Sequence, residues 1–223
     1  MLGRADDAYL QPEPFSYLYQ RSIYQAMRGL VCTVLETLRE RLPRLPSPLR
    51  PDAEALVAAQ ERLLARLRRL LGPKLTATRI AGHGNFHLQQ VLCTADDFTI
   101  IDFEGEPPRP LFERRLKRTP LADVASMVRS FHYAARVVLG EAADAGRLRF
   151  WRHWIAAAFV KAYRSATNPE ILPPDRTDLY LLFEMTLIER TLYELGYELD
   201  HRPDWVGIPL ADLREMLDGV TED

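Results

Sequence analysis

The chain has 223 residues, 47% hydrophobic and 27% charged, with Lys+Arg 29 against Asp+Glu 31 and a formal net charge of -2. That length buries a full core, and the near balance of charge removes any general attraction to nucleic acid or an anionic membrane. Cys32 and Cys93 have neither C-x-x-C nor Cys/His metal spacing, the pattern of reduced, buried thiols in a cytoplasmic compartment. The N-terminal "MLGRADDAYLQPEP" is acidic where a signal peptide needs an apolar run, and "WIAAAFVKAY" is too short and interrupted to span a bilayer. The expectation is a soluble, cytoplasmic protein.

From Phe15 to Leu42, a stripe through Tyr19, Ile23, Met27, Leu30, Val34 and Leu38 and a second through Tyr24, Val31 and Leu35 predict a long buried helix. It must stop at "LPRLPSPLRP", whose prolines force a turn or an extended connection. Asp52 is read as the cap of a second helix with Leu56, Leu63, Leu67 and Leu70 on one side and Gly72-Pro73 as its stop, paired antiparallel with the first. "TRIAG", "QVLCT" and "FTIID" then read as short strands, the last two joined by a turn at Ala95-Asp96-Asp97. Helices follow at Leu121 to Leu139, Arg147 to Ala166, Thr177 to Leu199 and Leu210 to Leu217. The fold class is mainly α with a small β hairpin, an α+β arrangement in one domain.

Chemistry concentrates in "GHGNFHLQQVLCTADDFTIIDFEGE", Gly82 to Glu106. Phosphoryl transfer asks a protein mainly for positions and charges: a carboxylate near the acceptor hydroxyl and oxygen ligands for magnesium. The loop offers His83, Asn85 and Gln90, and the end of the next strand offers Asp102 and Glu104. If the hairpin closes at residues 95 to 97, Gln90 and Asp102 face each other at its open end, and amide plus carboxylate oxygens form a hard ligand pair. The same residues also admit plainer readings. His83 and His87 can pack a polar turn, and "DFEGEPP" can be an acidic turn formed by Gly105 and ended by the prolines. A zinc site from the two histidines is disfavoured by Gly84 between them and by the lack of a third ligand nearby.

The run "GHGNFHLQQVL...FTIIDFEGEPPRPLFERRLKRTPLADVASMVRSFHYAA", with "EPFSYLYQRSIYQAMR" before it and "LYELGYELDHRPDWVGIPL" after it, resembles the maltokinase family. These are bacterial ATP-dependent kinases related to aminoglycoside phosphotransferases and often fused to trehalose synthase. The resemblance implies a protein kinase-like C-terminal lobe over residues 1–223, with the catalytic loop and metal-binding hairpin at about 79–106 and the N-terminal nucleotide lobe absent. It implies ATP and Mg2+ as cofactors. It places the catalytic base at position 85, magnesium ligands at Gln90 and Asp102, and the brace of the catalytic loop at Asp123 together with His83; Glu104 is a weaker metal or phosphate candidate. Asp123 also reads as a carboxylate stabilised at a helix N-terminus.

Position 85 departs from that family, which has aspartate there. An amide accepts a hydrogen bond but takes no proton at neutral pH, so a general-base contribution of roughly 10² to 10⁴-fold is expected to be lost. The implied acceptor is maltose or a related α-glucoside, with Glu189 and Tyr193, four apart on a late helix, as candidate sugar contacts or as part of an ordinary amphipathic face. Arg109, Arg114, Arg115, Lys117 and Arg118 read as a solvated loop, or as charge set against a phosphate or partner domain. Trp151, Trp154 and Trp205 read as core or interface anchors. Two functions follow: a maltokinase-like phosphotransferase lobe that is inactive in isolation, or a non-catalytic pseudokinase domain supporting trehalose synthase or another α-glucan enzyme. Another small-molecule kinase of aminoglycoside phosphotransferase type shares the fold but fits the long segments less well.

Overall fold

A computed structural model describes residues 9–106, 109–139 and 145–219. Pro107 and Pro108, read above as ending a strand, and the first eight residues of the N-terminal segment lie outside the described residues. The elements in chain order are β1 (Glu13–Pro14), α1 (Tyr17–Arg41), α2 (Arg50–Ala58), α3 (Gln60–Leu67), β2 (Thr78–Arg79), β3 (Val91–Cys93) and β4 (Phe98–Ile100), followed by five α-helices among the described residues. These are α4 (Leu111–Arg114), α5 (Leu121–Leu139), α6 (Ala145–Ala166), α7 (Arg176–His201) and α8 (Gly207–Asp218). The architecture is mainly helical with a small β hairpin. Two compact units divide it, one of Met1–Phe15 with Leu75–Phe183, the other of Ser16–Lys74 with Glu184–Asp223. Among the described residues no helix is long and apolar enough to cross a membrane.

The second unit is a helical bundle built on α1. Ser16 caps that helix, its hydroxyl oxygen accepting the Tyr19 N–H at 3.2 Å. The buried face runs through Tyr24, Met27, Val31, Val34, Leu35 and Leu38, while Tyr19, Ile23 and Leu30 fall half-buried at its edges. Cys32 lies on the opposite side and is exposed, as is Cys93, correcting the expectation of buried thiols. Each sits on the solvent face of its element, which reading the cysteines without their periodicity overlooks. The proline segment forms 3-10 turns at Leu42–Arg44 and Ser47–Leu49. The Arg50 guanidinium donates to the carbonyls of Leu45 at 2.9 Å and Pro43 at 3.0 Å, satisfying groups that no helix pairs.

Asp52 does not cap the next helix. Leu49 holds the cap position, Asp52 lies inside the first turn, and its carboxylate accepts from Arg214 of α8 at 3.1 Å. The expected second helix is also broken at Ala59, whose φ of -84° and ψ of 8° separate α2 from α3. Leu56, Leu63, Leu67 and Leu70 are nonetheless all buried. Gln20 is fully buried, and its Nε2 donates to the carbonyls of Leu70 at 2.8 Å and Pro73 at 3.0 Å, tying α1 to the chain that leaves α3. Replacing Gln20 by Leu keeps the volume but strands two carbonyls. A loss of about 1–3 kcal/mol is expected in urea unfolding, and an unchanged midpoint would contradict this role.

In the first unit, "TRIAG" finds a partner that the sequence did not suggest: β1 pairs antiparallel with β2, Glu13 opposite Arg79 and Pro14 opposite Thr78. Ile80 and Arg118 exchange backbone hydrogen bonds at 2.9 and 3.0 Å. Most of the basic run is therefore not a solvated loop, although Arg115 is exposed. Lys117 is buried and donates to the Glu13 carboxylate at 2.7 Å and to the Gln11 carbonyl at 2.9 Å; Arg109 pairs with Glu106 at 2.8 Å; Arg114 donates to the Arg109 carbonyl at 2.8 Å. Neutralisation by internal carboxylates and carbonyls lets these cations pack. Trp151 and Trp154 are exposed on α6 and are not core residues; Trp205, in the other unit, is half-buried beneath the Arg202 guanidinium.

The hydrogen bond from Lys117, with the charges of Lys117 and Arg79, holds the Glu13 carboxyl below the usual range. A carboxyl depressed on folding adds stability above its unfolded pKa, and that contribution disappears as pH falls through the folded value. Acidification below about 4.5 is thus expected to lower the protection of amides in residues 9–14, measured against their intrinsic exchange rates at each pH, before the helical bundle unfolds. Equal protection factors at neutral and acid pH would remove this ion pair from the account.

Candidate active site

The hairpin positions the first pair of candidate side chains. β3 and β4 pair antiparallel, Val91 opposite Ile100 and Cys93 opposite Phe98, and the turn is closed by Thr94, whose N–H and hydroxyl donate to the Asp97 carbonyl at 2.8 and 2.7 Å. At the open end the Ile101 N–H donates to the Gln90 carbonyl at 3.0 Å. Asp102 then adopts a positive φ of 62°, a left-handed conformation that aspartate tolerates better than most side chains. Here Gln90 Nε2 donates to Asp102 Oδ2 at 2.9 Å. Glu104 is exposed two residues further on.

The catalytic-loop candidates are held from the start of α5. Asp123, in its first turn, accepts the His83 N–H on Oδ2 at 2.7 Å and the Gly84 N–H on Oδ1 at 2.9 Å. A carboxylate at a helix N-terminus is well placed for this, since the helix dipole stabilises its charge while two further N–H groups satisfy its lone pairs. His83 then joins the loop to the hairpin. The Asn85 N–H donates to His83 Nδ1 at 3.3 Å, so the ring proton lies on Nε2, which donates to the Ile101 carbonyl at 2.8 Å. The imidazole packs against Phe103 and Phe86, with ring centroids 4.7 and 5.5 Å away.

Asn85 is buried at the centre of this arrangement. His83, Asn85, Gln90, Asp102 and Asp123 thus lie in one unit, joined by hydrogen bonds, whereas Glu189 and Tyr193 belong to the other unit, half-buried on α7. The Tyr193 ring lies under the Arg190 guanidinium, 5.4 Å from its centroid, beside the Arg190–Glu194 ion pair at 3.1 Å. Among the described residues no three His, Cys, Asp or Glu side chains converge on a metal position. Gln90 and Asp102 alone still suit magnesium, which keeps several waters and takes one or two protein oxygens alongside phosphate oxygens.

Two features of the site went unread in the sequence. A Cβ on Gly82 would lie 2.6 Å from Asp123 Oδ2, and one on Gly84, at φ +78°, would lie 3.3 Å from Gly105 Cα. Both glycines therefore allow the loop to approach its supports, and the signal was the G-H-G spacing itself. Ser130, two turns after Asp123 on α5, accepts the Leu88 N–H at 3.2 Å. Gly82→Ala should push the Asp123 carboxylate off at least one N–H, costing about 1.5–3 kcal/mol for a charge-assisted hydrogen bond. Thermal melting with amide exchange at His83 and Gly84 checks this; unchanged melting and protection would contradict it.

No family model matches the chain. A glucosamine kinase of Streptacidiphilus jiangxiensis is 32% identical over 143 residues, 60% of this chain and 31% of that protein. A glucosamine kinase of Mycolicibacterium smegmatis is 29% identical over 178 residues, 77% of this chain and 40% of that protein. The chain thus spans about 31% to 40% of the length of these relatives. Among solved structures, glucosamine kinase in complex with glucosamine, ADP and inorganic phosphate superposes with a TM-score of 0.75 at 24% identity, covering 94% of this chain and 50% of that one. A crystal structure of glucosamine kinase without named ligands gives 0.73 at 25% identity over 93% and 47% of the two chains. The relatives are sugar kinases, and over nearly its whole length this chain has the fold of about half of a glucosamine kinase.

Proposed function

We propose that this chain is the metal- and acceptor-bearing lobe of an ATP-dependent sugar kinase, with transfer slowed by the amide at position 85. The observation that carries the reading is the joint placement of Gln90 beside Asp102 at 2.9 Å and of the 83–85 loop on both oxygens of Asp123. Such a unit supplies what phosphoryl transfer asks of a protein, position and charge. Bound Mg2+·ATP provides the phosphoryl group and the counter-charge. Gln90 and Asp102 would hold the metal, the glutamine offering its oxygen once its side-chain amide is turned. Asp123 and His83 keep the loop backbone in place. The Asn85 carbonyl orients the acceptor hydroxyl by accepting its hydrogen bond, while the proton must leave to solvent.

In this reading the part of the relatives that the chain does not span supplies the lobe that covers the nucleotide. Glucosamine is the first acceptor to test, because the relatives carry that name; maltose is the second, on the strength of the motif segments. Asn85 also favours a second reading, a lobe kept for binding nucleotide or an α-glucan enzyme such as trehalose synthase without turnover.

The deciding experiment is steady-state phosphorylation of glucosamine and of maltose with Mg2+·ATP, with a nucleotide-covering lobe supplied in cis or as a separate chain. Asn85→Asp is expected to raise kcat by roughly 10² to 10⁴-fold with little change in sugar KM. If both forms turn over equally well, position 85 is not the proton-accepting seat. If neither turns over yet both bind Mg2+·ADP, the binding reading stands in place of the kinase.

A further inference from the structure

Gln90 sits at the end of a 3-10 turn, Leu88–Gln90, that has no side-chain cap of its own and opens on the exposed Leu88. Burial therefore does not hold the turn. Its last residue is tied to the hairpin by the Ile101 N–H on the Gln90 carbonyl at 3.0 Å. Its first residue is supported from α5, where Ser130 Oγ donates its single proton to the Met127 carbonyl at 2.8 Å and so turns a lone pair toward the Leu88 N–H, 3.2 Å away. Asp123 and Ser130 are two turns apart on the same helix face, so one face of α5 grips the loop at both ends, at residues 83–84 and at residue 88. We infer that Ser130 is a positioning residue for Gln90: it fixes the turn that brings the Gln90 amide to the Asp102 carboxylate. The inference rests on the reading of Gln90 and Asp102 as metal ligands. Removing the hydroxyl frees the start of the turn while leaving the Asp123 grip intact, so metal affinity should fall without loss of the loop at residues 83–84.

The test uses the intact chain, with Mn2+·ADP as probe followed by water-proton relaxation, and hydrogen exchange at individual amides without metal. Ser130→Ala is expected to weaken Mn2+ binding roughly tenfold, the usual scale for a group that orients a metal ligand. It should speed exchange at Leu88 and leave the His83 and Gly84 amides protected. Ser130→Thr, which keeps the hydroxyl, should bind as the unmodified protein does. Should the alanine variant not fold, Ser130→Cys, close in size but a poor acceptor, should weaken Mn2+ in the same direction. Equal Mn2+ affinity in the folded Ala or Cys variant, or unchanged exchange at Leu88, overturns the assignment. If the unmodified chain binds no Mn2+·ADP, the metal reading falls and the role for Gln90 with it, even where exchange at Leu88 responds to the substitution.

Discussion

The arrangement of the candidate site depends on one carboxylate. Asp123 accepts two consecutive backbone N–H groups, from His83 and Gly84, and so fixes a loop that has no secondary structure of its own. Loop backbone with unpaired N–H groups is costly to hold in place, and a charged acceptor at a helix start satisfies two of them at once. With the backbone set, the His83 ring can take the Asn85 N–H on one nitrogen and donate from the other to Ile101. That second bond couples the loop to the hairpin, at whose end Gln90 meets Asp102. Glycines at 82, 84 and 105 are the steric condition for this, since side chains there would meet Asp123, Gly105 and Arg114.

None of these bonds uses the side chain of residue 85. The Asn85 backbone takes part through its N–H, which any residue but proline supplies. The bonds described above do not depend on whether this position carries a carboxylate or an amide, and what differs between the two is the ability to take a proton. The architecture and the chemistry are separable here: a lobe can retain its loop geometry and oxygen donors while its rate of transfer falls. This separation lets the binding and kinase readings share one structure.

Much of the fold was legible because hydrophobic period is a local signal. The bounds of α5 were read correctly, and those of α6, α7 and the hairpin within a few residues. Gln90 facing Asp102 followed from the hairpin register alone. What escaped depends on distant segments. β1 pairs with β2 across more than sixty residues, and Lys117 is buried only because Glu13 and Gln11 reach it. Gln20 reads as a polar residue on a helix flank until the Leu70 and Pro73 carbonyls arrive from the chain beyond α3. The break at Ala59 carries no proline or glycine to announce it. The acceptor sugar was not legible: motif segments suggested maltose, the relatives carry the name glucosamine kinase, and fold alone selects neither.

The central proposal is that Gln90 and Asp102 form a metal position although residue 85 is an amide. Calorimetric titration of the chain with ADP, with and without Mg2+, tests it most directly when Asp102→Asn and Asn85→Asp are measured alongside. The account predicts magnesium-dependent binding of similar affinity in the unmodified chain and in Asn85→Asp, and its loss in Asp102→Asn. Binding that is indifferent to magnesium, or that survives Asp102→Asn unchanged, would contradict it.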